Sequence, residues 1–288
     1  MLFIDKVFAR PKPKAGLPAR HHSRASVSVI IPALNEGANL PYVLPRIPAW
    51  VKEVILVDGN SDDNTAEVVK SVRPGVKIIP QAGKGKGAAL QTGFEAATGD
   101  IIIMLDADGS TDPAEIPRFC ALLSGADFVK GSRFMQGGGT ADMEFHRKFG
   151  NWCFRVCVRL LYGGTFSDLC YGYMGFWRFV LPQLSVDTDG FEIETLISIR
   201  ALKAKLKIAE VPSYEYRRLY GKSNLRAMPD GWRVLKTIIN ERFRKPLLHI
   251  VDNTPTFITQ VERRSRNRYE APDYGEVAEA MYQLKSND

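Results

Sequence analysis

Three features of the chain predict an α/β fold with a mostly parallel, Rossmann-like sheet flanked by helices. Short, continuously apolar runs alternate with helical patterns through the first half. These runs are too uniformly apolar for a half-solvated sheet and fit strands covered on both faces. Acidic and amide residues follow three of the runs, at the strand ends where open α/β sheets bind ligands.

The elements follow in order. Val27–Ala33 (VSVIIPA) and Glu53–Asp58 (EVILVD) read as the first two strands. Residues 76–80, 101–106 (IIIMLD) and 127–130 (DFVK) read as three more. Helices are expected at 37–47, 64–72, 88–98 and 113–123 between them. In the second half, 144–162 is amphipathic, with Trp152, Phe154, Val156, Val158, Leu160 and Leu161 crowding one side. That side is expected to pack on the domain. The alternative, suggested by Arg155 and Arg159, is a bilayer surface. Residues 191–205 and 230–244 are further helices, the last stopped by Pro246, and 207–217 is extended. This gives a domain over 26–244. Residues 1–25 form a basic arm, expected to be disordered, and 245–288 form a tail with one short helix at 274–285.

Composition bounds the function. The chain has 288 residues, 45% hydrophobic and 25% charged, which is ordinary for a globular protein. The net charge is +7, and residues 1–25 hold six basic side chains against Asp5 alone. Such an arm is either solvated or drawn to an anionic membrane surface. No recognition motif accompanies the charge, so nucleic acid is not expected as a partner. No apolar run reaches membrane-spanning or signal-peptide length. The expectation is a cytoplasmic protein, with peripheral contact at the inner membrane face as its extension. Cys120, Cys153, Cys157 and Cys170 form no CxxC pair and are expected as free thiols.

Three motifs carry chemistry. Asp106-Ala107-Asp108 ends an apolar strand, and alternate residues of an extended chain point the same way. Two carboxylates so placed suit a hard divalent cation completed by phosphate oxygens; the plainer reading is a pair capping the next turn. Gly83-Lys84-Gly85-Lys86-Gly87 precedes a helix, where glycines permit close backbone approach and the helix start favours anions. A flexible basic turn is the alternative. After the first strand, Asn35 could cap the next helix and Glu36 could sit in its first turn, or both could border a nucleotide.

Taken together, IPALNE (31–36), VDGNSDDNT (57–65), GKGKGAALQTGFEAATGD (83–100), DADGSTDP (106–113) and GSRF (131–134) resemble family 2 glycosyltransferases in order and spacing. SDLCYGYMGFWR (167–178), FEIE (191–194) and RLYGKS (218–223) are most similar to the dolichyl-phosphate mannosyltransferase and polyprenyl-phosphate glycosyltransferase branch. The resemblance covers residues 27–240. It implies a GT-A fold, a UDP- or GDP-sugar donor, and Mg²⁺ or Mn²⁺. It assigns Pro32, Ala33, Leu34, Glu36 and Asp58 to the base and ribose pocket. It assigns Lys86 and Ala107 to the donor, and Asp106, Asp108 and Ser110 to the metal. Arg133, Arg218 and Lys222 would meet donor or acceptor phosphate, and Asp168 would lie near the reacting centre. Three departures stand out. Gly59 replaces a second aspartate, Ser110 stands where many mannosyltransferases have glutamine, and Asn224 replaces the lysine that ends R-x-x-G-x-S-K.

The reaction implied is an inverting hexose transfer to a polyprenyl phosphate. A glycan hydroxyl is the alternative acceptor and would need a general base, with Asp168 first and Glu192 or Glu194 second. A sugar nucleotidyltransferase, which would release pyrophosphate, is the alternative from another class.

Overall fold

The computed structural model describes residues 25–141 and 143–244. Nearly all of the basic arm and the helix expected at 274–285 lie outside them. The elements in chain order are β1 (Val27–Ala33), α1 (Leu40–Val43), β2 (Glu53–Asp58), α2 (Thr65–Val72), β3 (Lys77–Pro80), α3 (Gly85–Ala96), β4 (Ile101–Met104), α4 (Ile116–Leu123), β5 (Phe128–Ser132), β6 (Gly139–Thr140), α5 (Phe145–Tyr162), β7 (Met174–Trp177), α6 (Leu181–Leu184), α7 (Ile193–Lys203), β8 (Ile208–Pro212), β9 (Tyr214–Glu215) and α8 (Ala227–Phe243).

Seven strands form one sheet in the order β3-β2-β1-β4-β7-β5-β8. Six run parallel, and β7 alone is antiparallel to its neighbours β4 and β5. β6 and β9 pair separately beside it. Strand side chains alternate between two cores. Val27, Val29, Ile31 and Ala33 pack with α1, α2 and α4 on one face. Ile30, Ile55, Val57, Ile102 and Met104 pack with α3 and α7 on the other. Both faces are covered, which is why these strands read as unbroken apolar runs.

α7 is buried from Ile193 through Ala201, because it lies under α5 and α8 on that second face. Several expectations need correction. Residues 37–47 do not form one helix: α1 gives way to a 3-10 turn at Leu44–Arg46, where Pro45 supplies no N–H for a continuing ladder. α3 starts at Gly85, three residues early, so the glycine–lysine loop runs into its first turn. Residues 207–217 split at Ser213 into β8 and β9. β7 was not expected. It passes close to β4, where a Cβ on Gly175 would lie 2.6 Å from Ile103 Cδ1. The apolar side of α5, expected to pack on the domain, is divided: Val158 is buried, whereas Trp152, Val156 and Leu160 are exposed. All four cysteines are free thiols.

Candidate active site

Parallel strands deliver their following loops to one edge, and a cleft of about 810 Å³ opens there. Pro32 and Ala33 at the end of β1, Leu34 and Glu36 after it, Gly59 and Asn60 after β2, and Asp106, Ala107, Asp108 and Ser110 after β4 line it. These loops are tied to each other. The Asn35 amide donates to Ser61 Oγ (2.9 Å), and Asn35 Oδ1 accepts from the Asp62 amide (2.8 Å). Asn35 therefore stitches two loops and caps no helix; its φ of 57° lies in the left-handed region that asparagine tolerates. Asp58 accepts from the Ser61 hydroxyl at 2.5 Å and shapes this wall without lining the cleft.

The acidic pair is held by two cations. Lys86 Nζ lies 2.5 Å from Asp106 Oδ1 and 2.6 Å from Glu194 Oε1. Arg218 bridges Asp108 Oδ2 (3.0 Å) and Glu36 Oε1 (2.7 Å). Burial works against the Lys86 ammonium, but the Asp106 and Glu194 charges outweigh it and raise its pKa. Burial lifts the Glu36 carboxyl above its ordinary value, against the pull of Arg218. Glu194 lines the cleft beside Lys86, and its pKa is likewise raised, by burial first. A Cβ on Gly172 would sit 2.7 Å from Glu194 Oε1, 3.0 Å from Lys86 Nζ and 3.1 Å from Asp106 Oδ2. Only glycine leaves this cradle open.

Two glycines of the basic loop answer to the protein itself. A Cβ on Gly85 or Gly87 would come within about 2 Å of the Asp189 or Thr188 carbonyl oxygen. The Gly87 amide donates to Asp189 O at 2.9 Å. Close approach is real here, but the partner is backbone 188–189. Lys84 and Lys86 face the cleft.

Asp168 does not reach the cleft. It is fully buried, and its carboxylate takes Arg133 Nε (2.7 Å) and Nη2 (3.0 Å) side by side. Burial pushes this carboxyl upward, but the Arg133 charge and hydrogen bonds override that and hold its pKa low. Arg133 also donates from Nη1 to both Glu215 oxygens at 3.0 Å and lies over the Tyr171 ring. It lines the cleft with its charge already met by two carboxylates. Lys222 is exposed and outside the lining. Two basic lining residues escaped the sequence reading, Arg147 on α5 and Arg217 after β9. Neither forms an ion pair with a carboxylate among the described residues. Arg217 donates from Nε to the Ala141 carbonyl at 3.1 Å.

A model of glycosyl transferase family 2 matches residues 28–184, more than half of the chain. The chain belongs to this family. Among curated family 2 relatives, an undecaprenyl-phosphate mannosyltransferase from Micrococcus luteus is 30% identical over 211 residues, covering 69% of this chain and 87% of that protein. A dolichol-phosphate mannosyltransferase from Pyrococcus furiosus is 31% identical, covering 69% of this chain and 59% of that protein. Among solved structures, glucosyl-3-phosphoglycerate synthase from Mycobacterium tuberculosis, with Mn²⁺, UDP and glucosyl-3-phosphoglycerate, superposes at a TM-score of 0.61. It is 23% identical, over 77% of this chain and 81% of that one. The same enzyme with Mg²⁺ and UDP gives 0.60 at 22% identity, over 77% and 81%. The fold is GT-A, and the chain is a glycosyltransferase.

Proposed function

We propose that this glycosyltransferase moves a hexose from a UDP- or GDP-sugar to a polyprenyl phosphate, with inversion at the anomeric carbon. The donor would lie along the loops after β1 and β2, with its diphosphate toward Asp106, Asp108 and the start of α3. Asp106 and Asp108, with Ser110 beside them, fit a Mg²⁺ or Mn²⁺ ion. They present hard oxygen donors to an open cleft, each already faces a side-chain cation, and Gly172 keeps the space beside them clear. Such an ion, when bound, offsets the charge developing on the departing nucleoside diphosphate. Lys86 and Arg218 are the protein cations within reach of the same charge.

One observation carries the choice of acceptor. Every carboxylate that lines the cleft is engaged by a cation: Glu36 and Asp108 by Arg218, Asp106 and Glu194 by Lys86, Glu215 by Arg133. Arg147 and Arg217 have no carboxylate partner among the described residues. A hydroxyl acceptor needs an available base. A phosphate monoester, with a second pKa of about 6, is already anionic at neutral pH and needs positive charge to place it. In the step, a phosphate oxygen attacks the anomeric carbon as the bond to the diphosphate breaks; nucleoside diphosphate leaves and no proton moves. Asp168 acts through Arg133, which it orients, and is a positioning residue. Polyprenyl-phosphate relatives support this acceptor class.

The test is transfer from radiolabelled UDP- and GDP-hexoses to a polyprenyl phosphate. Label should enter the organic phase only when the lipid phosphate is present. Transfer instead to a soluble glycan, abolished by Glu194→Gln, would establish the hydroxyl reading.

A further inference from the structure

The outer helices carry a surface that the transfer reaction does not account for. On α5, Phe145, Phe149, Trp152, Val156 and Leu160 recur at helical spacing and are all exposed, Phe145 at 82% and Leu160 at 80%. On α8, Met228, Trp232, Ile239 and Phe243 form a second exposed stripe, with Trp232 at 69% and Phe243 at 83%. Each stripe lies opposite its helix's buried side, Asn151 and Val158 on α5, Val234 and Ile238 on α8. Both buried sides belong to the same core layer. The helices pack side by side, with the Phe154 ring beside Gly231 and the Tyr162 hydroxyl donating to the Ile238 carbonyl at 2.5 Å. The two stripes therefore face away from the same layer.

Charge selects the occupant. α5 contains no acidic residue. The two acidic residues of α8, Asp230 and Glu241, are buried and ion-paired. The charged side chains these helices expose are all basic: Lys148, Arg159, Arg233, Lys236 and Arg242. Aromatic and aliphatic stripes flanked by cations fit the boundary between headgroups and acyl chains. A second copy of the chain would bring the same positive charge against this face.

We propose that the α5–α8 face rests on an anionic lipid bilayer. The face adjoins the cleft, because α5 supplies Arg147 to the lining and Ser223, Asn224 and Leu225 line it just before α8. Resting on that proposed acceptor, the docked enzyme would meet its lipid phosphate at the surface, with the cleft mouth beside the membrane. No helix among the described residues is long and apolar enough to cross a membrane, so this contact would be peripheral.

Vesicle flotation of the full chain tests the docking without any substrate. Phosphatidylglycerol–phosphatidylcholine vesicles should carry the protein up the gradient, and phosphatidylcholine alone should carry much less. The double variant Trp152→Glu/Trp232→Glu should bind about tenfold or more weakly, with its melting temperature and its donor-induced stabilisation unchanged. Raising salt toward 1 M, where the screening length shrinks to about 3 Å, should weaken wild-type binding. Wild-type protein that stays at the bottom, or a variant that floats equally well, overturns the proposal. So does a wild-type dimer that the variant dissolves without any vesicle binding. Transfer to lipid phosphate in detergent reports separately on the acceptor assignment.

Discussion

Replacing Asp168 by asparagine separates a base from a positioning residue. The carboxylate is sealed from the cleft and holds Arg133 by two side-chain bonds of 2.7 and 3.0 Å and one backbone amide bond of 3.2 Å. Asparagine keeps the shape and one acceptor but removes the charge. Arg133 then remains buried with Glu215 as its remaining carboxylate partner among the described residues. Breaking a buried pair from one side costs about 3–5 kcal/mol, and the retained acceptor should reduce this to about 2–4 kcal/mol. For a domain of this size the melting temperature should fall by roughly 5–15 °C. The sign with pH follows from the lowered pKa of Asp168. Its contribution is present above the unfolded-state pKa of about 3.9 and is lost as pH falls through the folded value. The gap between wild type and variant should therefore be constant near neutrality and close in strong acid. Melting curves across pH, with kcat and KM for the acceptor, make the assay. A positioning role predicts a raised acceptor KM and an unchanged pH dependence of kcat. An unaltered melting temperature, joined to loss of one ionisation from the rate profile, would refute the geometry argued here.

Three further outcomes are expected. Arg147→Ala and Arg217→Ala should each raise the acceptor KM, by about tenfold for one lost charge-assisted contact, and leave donor-induced thermal stabilisation intact. Gly172→Ala should abolish most donor-induced stabilisation, because the added methyl crowds Glu194, Lys86 and Asp106, and should cost about 1–3 kcal/mol by overpacking. Glu115 is pushed up to about 7, by burial first, and accepts from the Ser213 hydroxyl at 2.5 Å. A raised carboxyl pKa means the fold binds the proton more tightly, so wild-type stability should decline between about pH 4.5 and 7 and level off above. Glu115→Gln should flatten that slope, as urea titrations at pH 5 and pH 8 would register.

How much of this was legible in the sequence depends on whether the information was local. β1 and β2 appear at the expected residues, because a strand covered on both faces leaves an unbroken apolar run. The cleft followed in part from the same reading: Glu36, Asp106 and Asp108 line it at the strand ends, whereas Asp58 stands behind Gly59 and Asn60, which line it instead. β7 was not legible. Four residues, one of them glycine, gain strand character only from β4 and β5, which are distant in sequence. Asp168 gave no sign of being sealed, because its partner Arg133 lies 35 residues upstream. Arg147 and Arg217 looked like ordinary surface cations, and only the fold brings them to the cleft. On α5 the sequence reading gathered Trp152, Phe154, Val156, Val158, Leu160 and Leu161 on one side and expected that side to pack. Packing against the domain decides which of them are covered, and that leaves Trp152 and Leu160 outside.

In the proposed function, Asp106 and Asp108 grip a divalent cation and, through it, a nucleoside diphosphate. Anomalous diffraction from crystals grown with Mn²⁺ and UDP or GDP tests it most directly. A manganese peak is expected about 2.1 Å from carboxylate oxygens of this pair, with the diphosphate between it and the start of α3. A nucleotide bound in the cleft with manganese elsewhere, or with both aspartates still closed on Lys86 and Arg218, would contradict it.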